Sequence, residues 1–403
     1  MIKGCSQRPG FDYIDTYSLV VRIETVHAIL AMVPKETIYM HQPEGYTDGT
    51  NRVGKLNKTL YGLKQSRHEW NNQLDLGLQD FEIITVWVND LLLFATTDIE
   101  IQCMKKEITS KWRVTDLGEP SKIIGIKIMR SDDSISISQK QYIDSILRKQ
   151  GLQHTNSVST PMDHNHLPKP NPNHENTNQS NSYASLLGEL QYLAVCTCPD
   201  IAYAVHKLAS FMANPTLTYH ITLKRILRYL AGTRDLRITY RKSEHAYDPL
   251  IGYADARFAN TDDMKSTTGI VFKSLGGAIL WKAKKQTLSA LSTTEAEYVA
   301  LSHAGTEAHW LRNLYDEIGL CLKRPLPIRC DNFGAISMAN NLYISQSTRH
   351  INLKYHSIRR LIKQNYIITQ LCRDAEQTAD ILTKALLRPK HKQHTMELGL
   401  API

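Results

Sequence analysis

The chain has 403 residues, of which 42% are apolar and 22% are charged, and its formal net charge is +9. This length accommodates about two or three domains with cores of ordinary size. The composition excludes a collagenous, coiled-coil or wholly disordered chain. The basic excess favours a polyanionic partner, nucleic acid before membrane, but a solvated basic surface gives the same net charge.

The cysteines and the apolar runs bear on the cellular compartment. The seven cysteines are scattered along the chain, a pattern typical of reduced thiols inside a cell. The first residues lack the apolar core of a signal peptide. The most apolar run, 81–95, is interrupted by Glu82, Asn89 and Asp90 and is too polar to cross a bilayer. We therefore expect an intracellular protein, cytoplasmic or nuclear, with no signal peptide or transmembrane segment.

The first element with a clear signature is a hairpin. Residues 83–88 are rich in β-branched and aromatic side chains, which favours a strand. The apolar run resumes at Leu91, and the intervening Asn89 and Asp90 predict the turn of the hairpin.

A polar linker divides the chain. Residues 163–182 contain one large apolar side chain, Leu167. Such a stretch cannot offset its ordering entropy by burial, so we place a domain boundary there.

An amphipathic helix is predicted after the linker. Leu223, Ile226, Leu227 and Leu230 stand at i, i+3, i+4 and i+7, and Gly232 predicts the end of the helix. Its polar side carries basic residues that are candidates for contacts with phosphates, although basic helix faces are commonly just solvated. These residues are Lys224, Arg225 and Arg228.

The most regular pattern lies in the last part of the chain. Three predicted strands are followed by a long helix, a strand, two helices, a strand and a final helix. This order predicts an α/β domain with a mixed sheet and flanking helices. The predicted bounds, in chain order, are 249–256, 269–275, 278–291, 293–318, 326–330, 332 onward, 350–364, 367–372 and 376 onward.

Four acidic residues stand at the ends or faces of these elements. Asp255 is near the end of the first strand and Glu297 is in the first turns of the long helix. Asp331 follows the fourth strand, and Asp380 is in the predicted final helix. Carboxylates that converge on one crevice repel one another unless cations bind between them. Oxygen ligands suit Mg²⁺, and two ions about 4 Å apart clamp the attacking and leaving oxygens of a phosphodiester.

Each acid also has a structural interpretation. The long helix starts with two overlapping capping boxes, one ending at Glu295 and one at Glu297, and only the first leaves Glu297 free. Asp331 is placed to cap the next helix, and Asp380 is placed as an ordinary acid on a helix surface. The joint occurrence of the four acids in this order of elements favours the functional interpretation.

Residues 246–386 closely resemble the RNase H domain of copia-type LTR-retrotransposon Pol polyproteins. The matching stretches are Gly252–Asp255, Ser266–Gly269, Ser292–Tyr298, Cys330–Asn332, Thr348–Ile351 and Ala379–Lys384. The metal-binding acids of that family fall on Asp255, Glu297, Asp331 and Asp380, and all four are retained.

The first half resembles the reverse transcriptase of the same family. Residues 1–162 match the reverse transcriptase and 183–242 match its connecting segment, so the resemblance covers nearly the whole chain apart from the linker. The stretches that carry the reverse transcriptase match are Tyr39–Met40, Gln42–Gly45, Leu60–Gln65, Asp116–Gly118 and Ser159–Met162. Among these residues Lys64 and Gln65 are candidate contacts with nucleic acid.

The reverse transcriptase half departs from the family pattern at its catalytic acids. The segment that carries one acid is missing between Val33 and Glu36, and the adjacent acid pair reads Asn89 and Asp90. A neutral Asn weakens the electrostatic stabilisation of a transferring phosphoryl group. Asp90 alone remains of the family's three acids, so we expect polymerase activity to be lost.

The resemblance implies an RNase H-like mixed sheet with flanking helices, preceded by a truncated α+β domain like a polymerase palm. It also implies cleavage of the RNA strand of RNA–DNA hybrids, with two Mg²⁺ ions in the RNase H site. Two alternatives remain open: a catalytically dead remnant that binds nucleic acid, and the product of a decayed element that does not fold stably. The predicted regions are a degraded reverse transcriptase domain (1–162), a polar linker (163–182), a helical connection (183–245), an RNase H-like domain (246–390) and a tail (391–403).

Overall fold

The described residues of the computed structural model are 37–41, 83–87, 90–95, 97–111, 113–165, 180–212, 215–241, 250–261, 263–318, 322, 324–341 and 353–402. Contacts divide the chain after Ser121 into two compact units. No helix in these ranges is long and apolar enough to cross a membrane.

Both units contain strands and helices. The strands are β1 (Thr37–His41), β2 (Ile83–Trp87), β3 (Asp90–Phe94), β4 (Thr115–Asp116), β5 (Lys122–Ile123), β6 (Ile126–Ser131), β7 (Ser134–Ser138), β8 (Arg237–Arg241), β9 (Ile251–Arg257), β10 (Thr267–Ser274), β11 (Gly277–Lys285), β12 (Leu326–Cys330), β13 (Ile367–Leu371) and β14 (Leu400–Ala401). The helices are α1 (Asp98–Lys111), α2 (Lys140–Lys149), α3 (Ser180–Cys196), α4 (Ala202–Ala209), α5 (Leu217–Thr233), α6 (Thr293–Glu317), α7 (Phe333–Asn340), α8 (Ser357–Lys363) and α9 (Arg388–Glu397). Short 3-10 helices cover Pro199–Ile201, Leu353–His356, Asp374–Glu376 and Thr378–Leu382.

The first unit contains an antiparallel sheet with the strand order β2-β3-β1-β4. The predicted hairpin is confirmed, because β2 and β3 pair antiparallel with Trp87 opposite Asp90. Asp90 is thus the first residue of β3 rather than a residue of the turn, and Asn89 lies outside the described residues.

The second unit contains a sheet built from three distant parts of the chain, with the order β14-β8-β7-β6-β5. The central strand β7 places Ile137 opposite Ile238 of β8, and both side chains are buried. The hydroxyl groups of Ser136 and Thr239 share a buried hydrogen bond of 3.0 Å across the same pair of strands. Residues 122–138 therefore fold together with the later part of the chain.

The helical connection is present, with bounds that differ from the prediction. Helix α3 begins at Ser180, inside the predicted linker, whose residues 166–179 lie outside the described ranges. In α5 the apolar residues predicted to share a face are all buried. Gly232 lies within α5 rather than ending it, because the helix continues to Thr233.

The remaining sheet has the order β11-β10-β9-β12-β13, with β9–β11 antiparallel and β12 parallel to both of its neighbours. Helix α6 follows β11 and packs on β9, β10 and β12 through a side of small and apolar residues that includes Ala296 and Ala300. This is the predicted RNase H-like mixed sheet with flanking helices. The predicted final helix from 376 is wrong in detail, because Asp380 lies in the 3-10 helix Thr378–Leu382 and α9 begins at Arg388.

Candidate active site

The topology of the mixed sheet brings the four predicted acids together. Strands β9 and β12 are parallel neighbours, so Asp255 near the end of β9 and Asp331 just after β12 lie at the same edge of the sheet. Helix α6 packs on β9 and carries Glu297 in its first turns. The 3-10 helix that carries Asp380 packs on β9 and β10. We therefore describe Asp255, Glu297, Asp331 and Asp380 as the carboxylate cluster.

The structure resolves which acids are used as helix caps. The hydroxyl group of Ser292 accepts a hydrogen bond of 3.2 Å from the backbone N–H of Glu295, and the carboxylate of Glu295 accepts one of 2.8 Å from the N–H of Leu291. The side chain of Asn332 caps α7 by accepting a hydrogen bond of 2.9 Å from the N–H of Ala335. Ser292, paired with Glu295, and Asn332 therefore cap the two helices, which leaves Glu297 and Asp331 for the cluster.

Burial of the carboxylate cluster disfavours the charged form of its carboxyl groups. Asp255 and Glu297 are each 3% exposed and Asp380 is 0% exposed. Desolvation is the main cause and repulsion from Asp380 the second, and together they raise the pKa of Asp255 to about 7. For Glu297, desolvation is again the main cause and repulsion from Asp255 the second, and they raise its pKa to about 10. The pKa of half-buried Asp331 is raised by burial and then by Asp380.

Two lysines and a threonine contact the cluster directly. The ammonium groups of Lys384 and Lys390 lie 2.7 Å and 2.6 Å from the carboxylate oxygens of Asp380. The hydroxyl group of Thr383 donates a hydrogen bond to Asp255. The motif stretch Ala379–Lys384 therefore supplies an acid, a hydrogen-bond donor and a counterion to the same site.

The donor set of the cluster fits a divalent cation. Ligand atoms of Glu297, Cys330 and Asp331 all lie within 4.8 Å of one another. Burial raises the pKa of the Cys330 thiol, as it does the pKa of the neighbouring Glu297 carboxyl. Hard oxygen ligands suit Mg²⁺, and a bound cation would stabilise the charged form of carboxylates whose pKa values are raised by burial and by mutual repulsion.

A glycine permits the 3-10 helix to approach the sheet. A Cβ atom on Gly269 of β10 would lie 2.6 Å from Thr383 Cγ2 and 2.8 Å from the carbonyl oxygen of Ala379. The side-chain amide of Gln377, at the start of the same 3-10 helix, donates a hydrogen bond of 2.9 Å to the carbonyl oxygen of Ala254 in β9. These two contacts fix the position of Asp380 beside Asp255.

The predicted nucleic-acid contacts on α5 are in different environments. Lys224 is exposed. Arg225 donates a hydrogen bond of 3.0 Å to the hydroxyl group of Thr160, and Arg228 donates one of 2.8 Å to the carbonyl oxygen of Asn156. Two of the three side chains therefore hold the segment 156–160 against α5.

Some predicted residues cannot be placed, and some site residues had not been predicted. Lys64, Gln65 and Asn89 lie outside the described ranges, and Asp90 is described only as the first residue of β3. Thr383 and Lys384 follow Asp380 directly in a motif, which is a signal that they belong to the site. Lys390 carries no such signal, because its contact depends on how α9 packs.

The comparisons with known proteins cover both halves of the chain. Residues 79–164 match the family model described as "Reverse transcriptase (RNA-dependent DNA polymerase)". A Pol polyprotein of transposon TNT 1-94 from Nicotiana tabacum is 33% identical over 442 residues, covering 97% of this chain and 33% of the relative. The transposon RE1 polyprotein from Arabidopsis thaliana is 31% identical, and the alignment covers 100% of this chain and 30% of that relative. The chain therefore spans about a third of the length of the curated relatives it matches.

The solved structures agree in fold. The foamy viral protease-reverse transcriptase in complex with an RNA/DNA hybrid aligns with a TM-score of 0.51 and 12% identity, covering 90% of this chain and 46% of that one. A second foamy viral structure, in complex with double-stranded DNA, aligns with a TM-score of 0.50 and 13% identity, covering 90% and 61%. At this identity the likeness shows the fold alone.

Proposed function

The chain belongs to the retrovirus-related Pol polyproteins of transposons, and we propose that it is their RNase H, cleaving the RNA strand of RNA–DNA hybrids. The observation that carries the proposal is the convergence of Asp255, Glu297, Asp331 and Asp380 at one edge of the mixed sheet. Buried carboxylates with raised pKa values are stable as anions only beside cations. This favours a metal-dependent phosphodiesterase over a structural acid cluster.

In this proposal each residue of the site has a defined part. Asp255, Glu297, Asp331 and Asp380 would hold the cations, which we expect to be two Mg²⁺ ions. Thr383 fixes the orientation of the Asp255 carboxylate. Cations held there would supply the chemistry of activating a water and stabilising the departing 3′ oxygen, which would leave a 5′ phosphate on the product. The hybrid is bound through its backbone and groove shape rather than its sequence.

We propose that the reverse transcriptase half no longer polymerises DNA. Two observations support this: the acid pair of the family reads Asn89 and Asp90 here, and the alignment with the tobacco relative is longer than the chain itself. The relative therefore has residues that this chain lacks. The loss of charged metal ligands removes the electrostatic stabilisation on which phosphoryl transfer depends.

Cleavage of a labelled RNA–DNA hybrid in Mg²⁺ tests the proposal. We expect the wild-type chain to cut the RNA strand, and Glu297→Gln or Asp331→Asn to lower the rate by at least about 100-fold. The matched control is Glu295→Gln, which makes the same substitution on the same helix at a cap, and we expect it to retain cleavage. A well-folded wild type that leaves the hybrid intact contradicts the proposal and makes the chain at most a binding remnant.

A further inference from the structure

A basic cavity lies in the second unit, away from the carboxylate cluster. It has a volume of 1060 Å³ and is bordered by α5, by α9 and by the chain near β14. Its charged lining residues are Arg225, Arg241, Arg388 and Lys392, and no Asp or Glu is among the described residues that line it. Burial lowers the pKa of His391, which also lines the cavity, to about 4, so this imidazole is neutral near pH 7.

The cations of the basic cavity have few partners within the protein. Among the described residues no salt bridge is found for the side chains of Arg241, Arg388 and Lys392, and all three are exposed. Arg225 has one carboxylate nearby, with its guanidinium 3.6 Å from Asp163. Four positive charges around one concave space with so little compensation form a site for an anion.

We propose that the basic cavity binds consecutive backbone phosphates of a nucleic-acid strand. Arginine guanidinium groups match phosphate oxygens in a bidentate geometry, and the hydroxyl groups of Ser157 and Ser159 line the same cavity. The aromatic lining residue Tyr229 is 3% exposed, so it offers no platform for a stacked base. The lining therefore fits a sugar–phosphate backbone better than a free nucleotide.

Helix α9 connects the basic cavity to the carboxylate cluster. The residues of α9 that line the cavity are spaced at i, i+3, i+4, i+7 and i+8, counted from Arg388, so they lie on one face of the helix. Lys390 projects from the opposite face and contacts Asp380. One helix diameter, about 10–12 Å, therefore separates the basic cavity from the carboxylate cluster. A nucleic-acid strand spans this distance within a few nucleotides. The idea that one strand reaches both the basic cavity and the carboxylate cluster rests on the proposed RNase H function. Phosphate binding by the cavity can be tested without it.

The test measures binding of a fluorescently labelled RNA–DNA hybrid to the full chain by anisotropy, in EDTA and over a series of KCl concentrations. The variant is the double substitution Arg388→Gln and Lys392→Gln. We expect the slope of log K against log[salt] to become smaller in magnitude by about 1.8, since each lost phosphate contact is worth about 0.9. The matched control is Arg360→Gln with Lys363→Gln, which removes one Arg and one Lys from α8, both exposed, and it should leave the slope unchanged.

The outcomes separate this inference from the proposed function. An unchanged slope in the Arg388/Lys392 variant, an equal change in the control, or no binding of the hybrid by the wild type overturns the cavity proposal. Titration calorimetry with inorganic phosphate gives the second arm: a heat that the variant abolishes while the hybrid slope stays constant identifies a free-anion site and overturns the assignment to a strand. Cleavage in Mg²⁺ is scored separately, so the RNase H proposal can stand or fail independently.

Discussion

At the scale of single residues, Glu297 makes the metal-free protein sensitive to pH. Its native-state pKa of about 10 lies above the ordinary value of about 4.3 that applies to the unfolded chain. The native state therefore holds a proton that the unfolded state releases, and the free energy of unfolding in EDTA falls as the pH rises above about 4. The pKa of Asp255, raised to about 7, acts in the same direction over the lower part of that range.

We predict that Glu297→Gln raises the free energy of unfolding at pH 8 in EDTA by about 1–3 kcal/mol and flattens its dependence on pH. At pH 8 the wild-type chain must take up a proton at Glu297 on folding, whereas the neutral amide of Gln, which is nearly the same size, folds without that cost. Urea denaturation between pH 5 and pH 8 measures both effects. The control Glu295→Gln should leave the pH dependence of stability unchanged, because the amide oxygen of Gln still accepts the hydrogen bond from the N–H of Leu291. A Glu297 variant less stable than wild type at pH 8 contradicts the prediction.

Lys390 and Lys384 provide the positive charge that Asp380 needs when no metal is bound. Asp380 is 0% exposed, and its two ion pairs are 2.6 Å and 2.7 Å long. A buried carboxylate that loses such a partner is costly. We therefore predict that Lys390→Gln lowers the free energy of unfolding in EDTA by about 1–3 kcal/mol.

The same substitution should tighten the binding of Mn²⁺, because the cation no longer competes with the Lys390 ammonium group for Asp380. Isothermal titration calorimetry measures the dissociation constant. Lys392→Gln, two residues along α9 on the opposite face, is the control and should alter neither stability in EDTA nor Mn²⁺ affinity. Weaker Mn²⁺ binding by the Lys390 variant would show that the lysine orients Asp380 instead of competing for it.

The four acids were predictable from the sequence, and their surroundings were only partly so. Their motifs singled out Asp255, Glu297, Asp331 and Asp380, and the predicted elements were correct for the first three, whereas Asp380 lies in a 3-10 helix instead of the final α-helix. The sequence alone could not decide which of two overlapping capping boxes forms, because Ser292 with Glu295 and Thr294 with Glu297 have the same spacing. The hydrogen bonds in the structure show that Glu295 is used. Lys390 could not be predicted, since its contact depends on the packing of α9 against a 3-10 helix.

At the scale of elements, the close approach of the 3-10 helix Thr378–Leu382 to β10 depends on Gly269. We predict that Gly269→Ala lowers the free energy of unfolding by about 1–3 kcal/mol and weakens Mn²⁺ binding, because the new methyl group displaces the segment that carries Asp380. A Cβ atom at that position meets the backbone carbonyl of Ala379 at 2.8 Å, and a backbone atom cannot rotate away as a side chain can. Thermal unfolding and calorimetry measure the two effects.

The matched control for this prediction is Gly188→Ala. Gly188 lies inside α3, and a Cβ atom there has nothing within 4 Å. The substitution should therefore raise stability by about 0.5–1 kcal/mol through helix propensity alone. If both alanines act alike, the steric account of Gly269 is wrong.

Elements with a strong local signal were predicted well, and elements held by distant contacts were not. Strand β12 and helix α6 agree with the predicted bounds within a residue, because periodicity and capping define them locally. The final helix was placed too early, because the acid-containing stretch forms single 3-10 turns that no apolar period reveals. The sheet that joins β5–β8 with β14 was not predicted, since its strands are short and their partners lie far apart in sequence.

At the scale of the whole molecule, that second sheet decides which part of the chain folds as a unit. Strand β8 pairs with β7 on one side and with β14 on the other. Its residues Ile238 and Tyr240 are 0% and 2% exposed. Removal of the residues before the linker would leave one edge of β8 unpaired and would uncover this apolar surface.

We therefore predict that a fragment of residues 122–403 unfolds cooperatively, with a melting temperature close to that of the second unit in the full chain, whereas residues 183–403 do not. The shorter fragment contains all four acids of the carboxylate cluster but lacks β5–β7 and the segment 156–160 that Arg225 and Arg228 hold against α5. Circular dichroism during heating and amide hydrogen exchange in β8 measure the difference. Equal protection of β8 in the two fragments would show that 122–165 is dispensable and that the boundary at the linker, as predicted from composition, is the correct one.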